Sequence, residues 1–340
     1  ATGATLVTYE GDPMSKTQDG TPAAAPGHLW DVCQASRTTV FGTSARYLSA
    51  CAAAGVEPRA THGLRALRLI MSTGSPASAS VFQYATNSVK EGGIQYCSVS
   101  GGTDLNGCFA CGSPFLPVYD GELQCRALGM DVAILGDEGE TVAPGVQGEL
   151  CCRQPFASQP LRFLQDEDGS KYFNAYFAKL SGVWCHGDFA AVTEEGGVII
   201  FGRSDATLNP GGVRIGTADI YAVIEKDFMT EVEDSIVVGR PVRLQDGTPD
   251  VEIVAFLKMK PGVALDDTLR AKIKARIASQ ASPRHAPKWI LSAPDIPLTA
   301  NGKRVEIAVR KAICGEDVLQ RSALANPESL EHFYDVQFEQ

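Results

Sequence analysis

Apolar and polar positions follow two different periods along the first third of the chain. Short apolar runs predict strands at TLVTYE (5–10), TTVFGT (38–43), ALRLIMSTGS (66–75) and IQYCSVS (94–100). Between them, apolar residues recur three or four positions apart and predict helices, as in SARYLSACAAAG. Strands that alternate with helices predict parallel β-α units, which bind ligands beyond the carboxyl ends of their strands. Two of these ends, STGSP (72–76) and SVSGGTD (98–104), are polar and contain glycine.

The pattern changes twice further along the chain. Short strands separated by Gly and Asp turns occupy residues 118–204 and predict an antiparallel sheet or a small barrel. From residue 205 helical and strand periods are mixed, which predicts a smaller α+β module, and the last residues form a polar tail. We therefore predict an α/β protein that has a large α/β domain over 1–117, an antiparallel β subdomain over 118–204, a C-terminal α+β domain over 205–315 and a tail over 316–340.

Composition narrows the possible functions. The formal net charge of −10 argues against a nucleic-acid-binding protein that uses a broad basic face. The chain has neither a long apolar run typical of a membrane span nor a recognisable signal peptide at its start, so we expect a cytoplasmic protein. Ten cysteines in core-like sequence are expected to be reduced thiols. Cys108 and Cys111 have zinc-like spacing, and Cys125 lies further on, but no fourth ligand is evident.

SVSGGTDL combines small residues with a hydroxyl and a carboxylate directly after a predicted strand. Gly101 and Gly102 would let backbone N–H groups approach a phosphate, and the Thr103 hydroxyl could donate to a phosphate oxygen. The Asp104 carboxylate is the kind of ligand that Mg²⁺ prefers. An ordinary turn is also compatible with this segment.

Three further charged residues follow predicted strands or lie on turns. Asp188, in HGDFA, could bind both hydroxyls of a ribose or could cap a turn. Arg203 ends the next strand, and its guanidinium suits phosphate or ribose oxygens or a surface ion pair. Lys303, in PLTANGKRVEI, could stabilise charge on a reacting phosphoryl group or could simply be solvated.

Taken together and in this order, the motifs resemble the adenylate-forming superfamily of acyl-CoA synthetases, luciferases and peptide-synthetase adenylation domains. STGSP resembles the segment beside adenine and ribose, GGTD the Thr-acid motif, and HGD the ribose-binding aspartate. GRSDATLNPGGVRIG (202–216) is similar to the hinge motif and TANGK to the terminal lysine loop. The narrower resemblance is to the branch that activates acetoacetate, and it is carried by SVSGGTD, LPVYDGELQCRALGM, HGDF, GRSDATLNPGGVR and the tail NPESLEHFYDVQFEQ.

The resemblance implies roles for individual residues. The implied nucleotide-binding residues are Gly74, Ser75, Pro76, Gly102, Thr103, Asp188, Arg203 and Arg214. Asp104 would favour Mg²⁺, Asp205 would be the hinge and Lys303 the catalytic residue of adenylation, while Asn209 also belongs to the hinge motif. Gly101 occupies the position of a bulky aromatic in acetate-specific relatives, which would leave room for the longer acetoacetate.

The family's chemistry implies ATP, Mg²⁺ and CoA, with acetoacetate as the acid and AMP and pyrophosphate as products. The resemblance also implies a Ser/Thr/Gly-rich phosphate loop upstream of TLVTYE, in a missing N-terminal portion of the same protein, and this chain lacks it. We therefore expect little or no ligase activity from the chain alone. Two alternatives stay open: a non-catalytic nucleotide-binding or assembly module, and a synthetase for another short-chain acid.

Overall fold

A computed structural model describes residues 3–11, 13, 26–244, 246–299, 302–318 and 321–338. The helices are α1 (His28–Ala35), α2 (Ala45–Ala53), α3 (Pro58–Thr61), α4 (Ala79–Ser88), α5 (Ser170–Tyr176), α6 (Thr217–Asp227), α7 (Asp267–Gln280), α8 (Glu306–Ile313) and α9 (Glu331–Tyr334). The strands are β1 (Val40–Ser44), β2 (Leu69–Thr73), β3 (Gln95–Ser98), β4 (Ser100–Gly102), β5 (Gly107–Cys111), β6 (Cys125–Arg126), β7 (Val132–Leu135), β8 (Gly148–Cys152), β9 (Trp184–Val192), β10 (Val198–Arg203), β11 (Val232–Arg243), β12 (Pro249–Met259) and β13 (Trp289–Ser292).

The chain divides into two compact units. The first comprises Ala1–Val132, Gln154–Gln165 and Val192–Ile199. The second comprises Ala133–Arg153, Asp166–Ala191 and Ile200–Gln340. The predicted fold class, a parallel α/β layer with antiparallel sheets and a C-terminal α+β portion, is confirmed.

The first unit contains the predicted parallel layer. Strands β1, β2 and β3 form a parallel sheet in that order, and a second, antiparallel sheet has the order β4-β5-β6. Buried Phe82 of α4 packs edge-on against Tyr96 of β3, with ring centroids 4.6 Å apart, so the helix covers the sheet with its apolar side. The strand predicted over 5–10 is wrong: these residues pair with no strand of the described chain, and Leu6 is 85% exposed.

The second unit contains the predicted antiparallel sheet and the α+β portion. Strands β7 to β10 lie in the order β10-β9-β8-β7, with β8 and β9 antiparallel. Towards the C-terminus, β11 pairs antiparallel with β12, and β12 pairs parallel with β13. Side chains of β12 alternate between two faces: Ile253 and Ala255 pack with α6 and α7, whereas Val254 and Phe256 pack with α8 and the tail.

The polar tail has little periodicity in its sequence, yet it contributes to the apolar core on the face of β12 that carries Val254 and Phe256. Leu330 and Phe333 are fully buried, and the Phe333 ring lies edge-on to Phe256, with centroids 4.9 Å apart. Two apolar residues three positions apart are enough to hold a short helix when a sheet already offers an apolar face.

The state of the cysteines and the length of the helices can be compared with the reduced thiols and the lack of a membrane span that the sequence predicts. All ten cysteines are free thiols, and six of them are buried. Among the helices that the structure describes, we find none with the length and apolar character needed to cross a bilayer.

Glu252 on β12 makes the C-terminal portion sensitive to acid. Its carboxylate accepts hydrogen bonds from Arg240 Nη2 at 2.6 Å and Trp289 Nε1 at 2.8 Å, and it pairs with Lys288. Burial by itself would raise the pKa of Glu252, but these donors outweigh it and lower the pKa from 4.5 to about 2. The stabilisation is therefore present above pH 4.5 and is lost as the pH falls through about 2.

We expect Glu252→Gln to weaken the dependence of the unfolding temperature on pH between 4.5 and about 2, as measured by circular dichroism. The control is Glu233→Gln, because Glu233 pairs with Lys258 at 2.8 Å but is 43% exposed. Identical pH profiles for Glu252→Gln and the unmodified chain would contradict the prediction.

Candidate active site

Two polar loops of the first unit follow neighbouring strands of the parallel sheet, as predicted for STGSP and SVSGGTD. Thr73 Oγ1 donates to the Val99 carbonyl at 2.9 Å, which joins the two loops where β2 and β3 end. Gly74 has φ +95°, in the left-handed region that favours glycine. Ser75 is half-buried, while Gly74 and Pro76 are exposed. Backbone and side chains of STGSP thus line the carboxyl edge of the sheet, where such folds bind ligands.

Thr103 and Asp104 lie at the exposed tip of the hairpin between β4 and β5. Gly102 pairs with Gly107, and the Asn106 N–H donates to the Thr103 carbonyl at 3.2 Å. The segment is therefore a turn, and the same turn presents a hydroxyl and a carboxylate to a ligand. Within the described residues, no group of three or more His, Cys, Asp or Glu side chains could hold a metal ion. Asp104 fits Mg²⁺ only as one ligand of an ion that also binds phosphate oxygens and water.

Gly101 is constrained by the backbone of β5. A Cβ atom at this position would lie 2.1 Å from the Gly107 carbonyl oxygen and 2.5 Å from Cys108 Cα. Neither atom can move without shifting the strand, so the close pairing of β4 with β5 requires a glycine here. This requirement gives position 101 a structural reason for glycine, beside the acyl-pocket role that the family resemblance implies.

We expect Gly101→Ala to lower the free energy of unfolding by about 1–3 kcal/mol, because the added methyl overpacks the strand pair. Gly42→Ala is the matched control, since Gly42 lies in β1 and a Cβ there would meet no atom within 4 Å. Urea unfolding of both variants tests this expectation. Equal stability of the two variants would leave the acyl-pocket role as the remaining explanation.

Asp188 and Arg203, which the sequence singles out separately, contact each other in the second unit. Arg203 Nη1 lies 3.3 Å from Asp188 Oδ1 and donates to the His186 carbonyl at 3.0 Å. Gly187 has φ +81°, and a Cβ atom there would lie 2.5 Å from Arg203 Nη2. The glycine of HGD therefore leaves the space in which the guanidinium lies against β9.

Arg203 also contacts the proposed hinge residue. Its Nε lies 3.5 Å from Asp205 Oδ1, and its side chain is 48% exposed. Burial would lower the pKa of Arg203, but Asp188 and Asp205 outweigh burial and raise it, so the side chain is a permanent cation. A cation between two carboxylates at the edge of a sheet can exchange one of them for the oxygens of an anionic ligand.

Glu149 lies beneath this pair, although it belongs to none of the motifs that point to nucleotide chemistry. Its side chain is 3% exposed and accepts hydrogen bonds from the Gly187 N–H at 2.9 Å and Ser204 Oγ at 3.1 Å. Lys179 Nζ lies 2.5 Å from its other oxygen. One carboxylate therefore holds the backbone N–H of the residue before Asp188 and the hydroxyl of the residue after Arg203. The available signal was an acidic residue inside the apolar strand GELCC, because a buried glutamate requires partners.

The segment 202–216 continues from β10 into the C-terminal portion. Leu208 and Ile215 exchange two backbone hydrogen bonds, at 3.0 and 2.9 Å, and so close a loop that carries the exposed Asn209. Arg214 Nη1 lies 2.9 Å from Asp137 Oδ1, on the turn after β7. At the other end, the carbonyl of Asp205 accepts from Arg310 on α8.

Lys303 lies exposed on a separate turn. The Thr299 N–H donates to the Lys303 carbonyl at 2.8 Å, and the Lys303 N–H donates to Thr299 Oγ1 at 3.1 Å. Gly302 has φ +73°, which explains the glycine of TANGK. Ala300 and Asn301 lie outside the described residues. The structure thus brings Asp188, Arg203 and Asp205 together and presents Lys303 on its own loop.

Comparison with known proteins supports the family resemblance. The family model described as AMP-binding enzyme matches residues 2–159. The chain is 47% identical over 333 residues to the acetoacetyl-coenzyme A synthetase of Rhizobium meliloti, covering 98% of the chain and 49% of that protein. It is 42% identical over 337 residues to the acetoacetyl-CoA synthetase of Mus musculus, covering 99% of the chain and 48% of that protein.

A solved structure of a similarly named protein is also similar to this chain. Acetoacetyl-CoA synthetase from Streptomyces lividans superposes with a TM-score of 0.81 at 36% identity, covering 91% of this chain and 47% of that one. The chain thus spans about half the length of the relatives that it matches.

Proposed function

We propose that the protein carrying this chain is an AMP-forming acid-thiol ligase that joins acetoacetate to CoA, because the AMP-binding enzyme model matches residues 2–159 and the relatives reach 47% identity. The observation that carries the proposal is the contact of Arg203 with both Asp188 and Asp205 at the start of the hinge motif. The names of the relatives support acetoacetate as the acid.

The reaction has two steps. A carboxylate oxygen of acetoacetate attacks the α-phosphorus of ATP, an acyl-phosphate bond forms, and the bond to pyrophosphate breaks. The sulfur of CoA then attacks the acyl carbonyl carbon, the thiol loses its proton, and AMP leaves. Mg²⁺ would neutralise phosphate charge in the first step, with the Asp104 carboxylate as its protein ligand.

Individual residues would bind the nucleotide and stabilise its charge. In the first unit we assign nucleotide contacts to Gly74, Ser75 and Pro76. In the second unit we assign ribose contacts to Asp188 and Arg203, where Asp188 accepts from ribose hydroxyls as its bond to Arg203 opens. The Gly102 backbone and the Thr103 hydroxyl would donate to the α-phosphate. The exposed ammonium of Lys303 would stabilise charge on the phosphoryl oxygens during adenylation.

A conformational step would separate the two half-reactions. The C-terminal domain would rotate about Asp205 and withdraw Lys303 before CoA attacks, a kind of motion that often limits turnover. In this scheme the bond between Arg214 and Asp137 belongs to one of the two states, and Arg214 is released for the nucleotide in the other. Asn209, exposed in the same loop, would make contacts that depend on which of the two states is occupied.

The proposal is tested with the full-length protein that contains this chain. We expect AMP and a CoA thioester to form in equal amounts when ATP, Mg²⁺, CoA and acetoacetate are supplied. Acetate and other short-chain acids are the controls, with Gly101 as the position expected to admit the longer acid. Good turnover of another acid with none of acetoacetate would overturn the substrate assignment.

The chain alone has a narrower candidate function, which is nucleotide binding or assembly without catalysis. This alternative is favoured by the Asp188–Arg203 pair itself, because a carboxylate and a guanidinium side by side suit the hydroxyls and phosphate oxygens of a nucleotide. Calorimetry of the 340-residue chain with AMP and with an acyl-adenylate analogue distinguishes the possibilities. Binding without turnover supports the narrower function, and absence of binding removes it.

The free thiols support a cytoplasmic location.

A further inference from the structure

Arg304, the residue after Lys303, is held by a buried cluster that the proposed reaction does not use. Its side chain is 15% exposed, and Nη2 lies 2.8 Å from Glu225 Oε1 and 3.0 Å from Asp234 Oδ1. The guanidinium carbon lies over the Tyr221 ring at 4.1 Å. Burial would lower the pKa of Arg304, but the two carboxylates outweigh burial and raise it. These four residues form what we call the arginine anchor.

The backbone of Arg304 closes the turn that carries Lys303. Leu298 and Arg304 form a β-bridge, and Thr299 bonds both the N–H and the carbonyl of Lys303. The main chain at Lys303 is therefore held from the Thr299 side by hydrogen bonds and from the Arg304 side by the arginine anchor. Lys303 itself is exposed.

A second set of bonds connects the arginine anchor to the hinge. The Tyr221 hydroxyl donates to Glu306 Oε1 at 3.0 Å and accepts from the Val237 N–H at 3.0 Å. Glu306 begins α8, and Arg310, four residues later on the same side of that helix, donates to the Asp205 carbonyl at 3.1 Å. The arginine anchor is thus bonded to the first residue of α8, and the same helix is bonded through Arg310 to the residue about which the domain would rotate.

We propose that Arg304 is the positioning residue of Lys303 and that the arginine anchor makes the lysine turn and α8 move as one body about Asp205. This proposal rests on the proposed function. A lysine side chain has several rotatable bonds, so its ammonium reaches a phosphoryl group reproducibly only when its backbone is fixed. Without Arg304, two carboxylates lose their shared cation, and the turn loses its attachment to the core of the domain.

The test compares Arg304→Met with Arg240→Met in the full-length protein. Arg240 is a matched control because it pairs with Glu252 at 2.6 Å and stacks on Phe338 at 4.1 Å, in the same portion of the chain but outside the lysine turn. Acetoacetate-dependent exchange of pyrophosphate into ATP measures adenylation, and thioester formation from supplied acetoacetyl-adenylate measures the second step. Thermal unfolding measures the stability of both variants.

We expect adenylation by Arg304→Met to be on the order of 10- to 100-fold slower than by Arg240→Met, because the ammonium is misplaced. Thioester formation is expected to be the same in the two variants, and Arg304→Lys, which keeps the charge, is expected to recover part of the lost adenylation. Equal loss of both half-reactions, or equal loss of adenylation in the two methionine variants, would overturn the proposal.

Hydrogen exchange separates this proposal from the proposed function. In the unmodified protein the Lys303 N–H is bonded to Thr299 Oγ1, and we expect Arg304→Met to increase its exchange rate about tenfold relative to Arg240→Met. An unchanged hydrogen-exchange rate of the Lys303 N–H would contradict the positioning role of the arginine anchor, whatever the catalytic activity of the protein. Absence of acetoacetate-dependent turnover in the unmodified protein, with faster exchange in Arg304→Met, would overturn the proposed function alone.

Discussion

Lys303→Ala in the full-length protein is expected to slow acetoacetate-dependent adenylation by on the order of 100- to 1,000-fold. The side chain is exposed on a turn whose backbone is held on both sides, so its removal should take away one cation and leave the turn intact. An ammonium aimed at a phosphoryl group stabilises charge that grows in the transition state, and its loss is felt mainly in the rate of that step. Exchange of pyrophosphate into ATP measures the rate of adenylation.

The second half-reaction provides the internal control for this substitution. Thioester formation from supplied acetoacetyl-adenylate is expected to proceed at the unmodified rate, because the proposed rotation withdraws Lys303 before CoA attacks. Lys274→Ala, which removes another exposed lysine of the same portion of the chain, should leave both steps unchanged. A parallel loss of both half-reactions in Lys303→Ala would contradict the role assigned to Lys303.

Glu149→Ala is expected to lower the free energy of unfolding by about 2–4 kcal/mol and to abolish measurable AMP binding by the full-length protein. The substitution leaves the Gly187 N–H and the Ser204 hydroxyl without their buried acceptor and leaves Lys179 without its partner. The backbone that positions Asp188 and Arg203 would then be free to shift. Denaturant unfolding and calorimetry with AMP measure the two effects.

Glu149→Gln separates the hydrogen bonds from the charge. The amide oxygen can still accept from the Gly187 N–H, so we expect a smaller loss of stability and residual AMP affinity. The ion pair with Lys179 would be lost in both variants, and because Lys179 is 42% exposed its contribution should be small. Full AMP affinity in folded Glu149→Ala would contradict the supporting role of Glu149.

Periodicity predicted the elements whose packing is local and regular. The alternation of β1, α2, β2, α4 and β3 follows from apolar spacing, and the parallel pairing follows from that alternation. Strand β5 and the buried tail were not predicted, because β5 is defined by its pairing with β4 and β6, and Phe333 is buried only because β11 and β12 present an apolar face. Residues 5–10 have a strand-like pattern, but a pattern cannot supply a neighbouring strand.

Some residues of the candidate site could likewise be predicted from the sequence, and others could not. Asp188, Arg203, Asp205 and Lys303 could be selected because their residue types suit nucleotide chemistry and because their motifs resemble those of one family. Glu149 and Arg304 could not be selected on that basis. Each owes its importance to hydrogen-bond partners between 30 and 79 positions away in the chain, which no local pattern encodes.

The sequence by itself determined the class of fold, the order of the elements and the residue types available for chemistry, because periodicity and composition are local properties of the chain. The tertiary structure decided which of those residues share a partner. It gave Arg203 two carboxylates, gave Asp188 and Arg203 a common buried support in Glu149, and fixed the Lys303 turn through Arg304. Buried charges must be paired where they lie, so these pairings depend on the packed arrangement of distant segments.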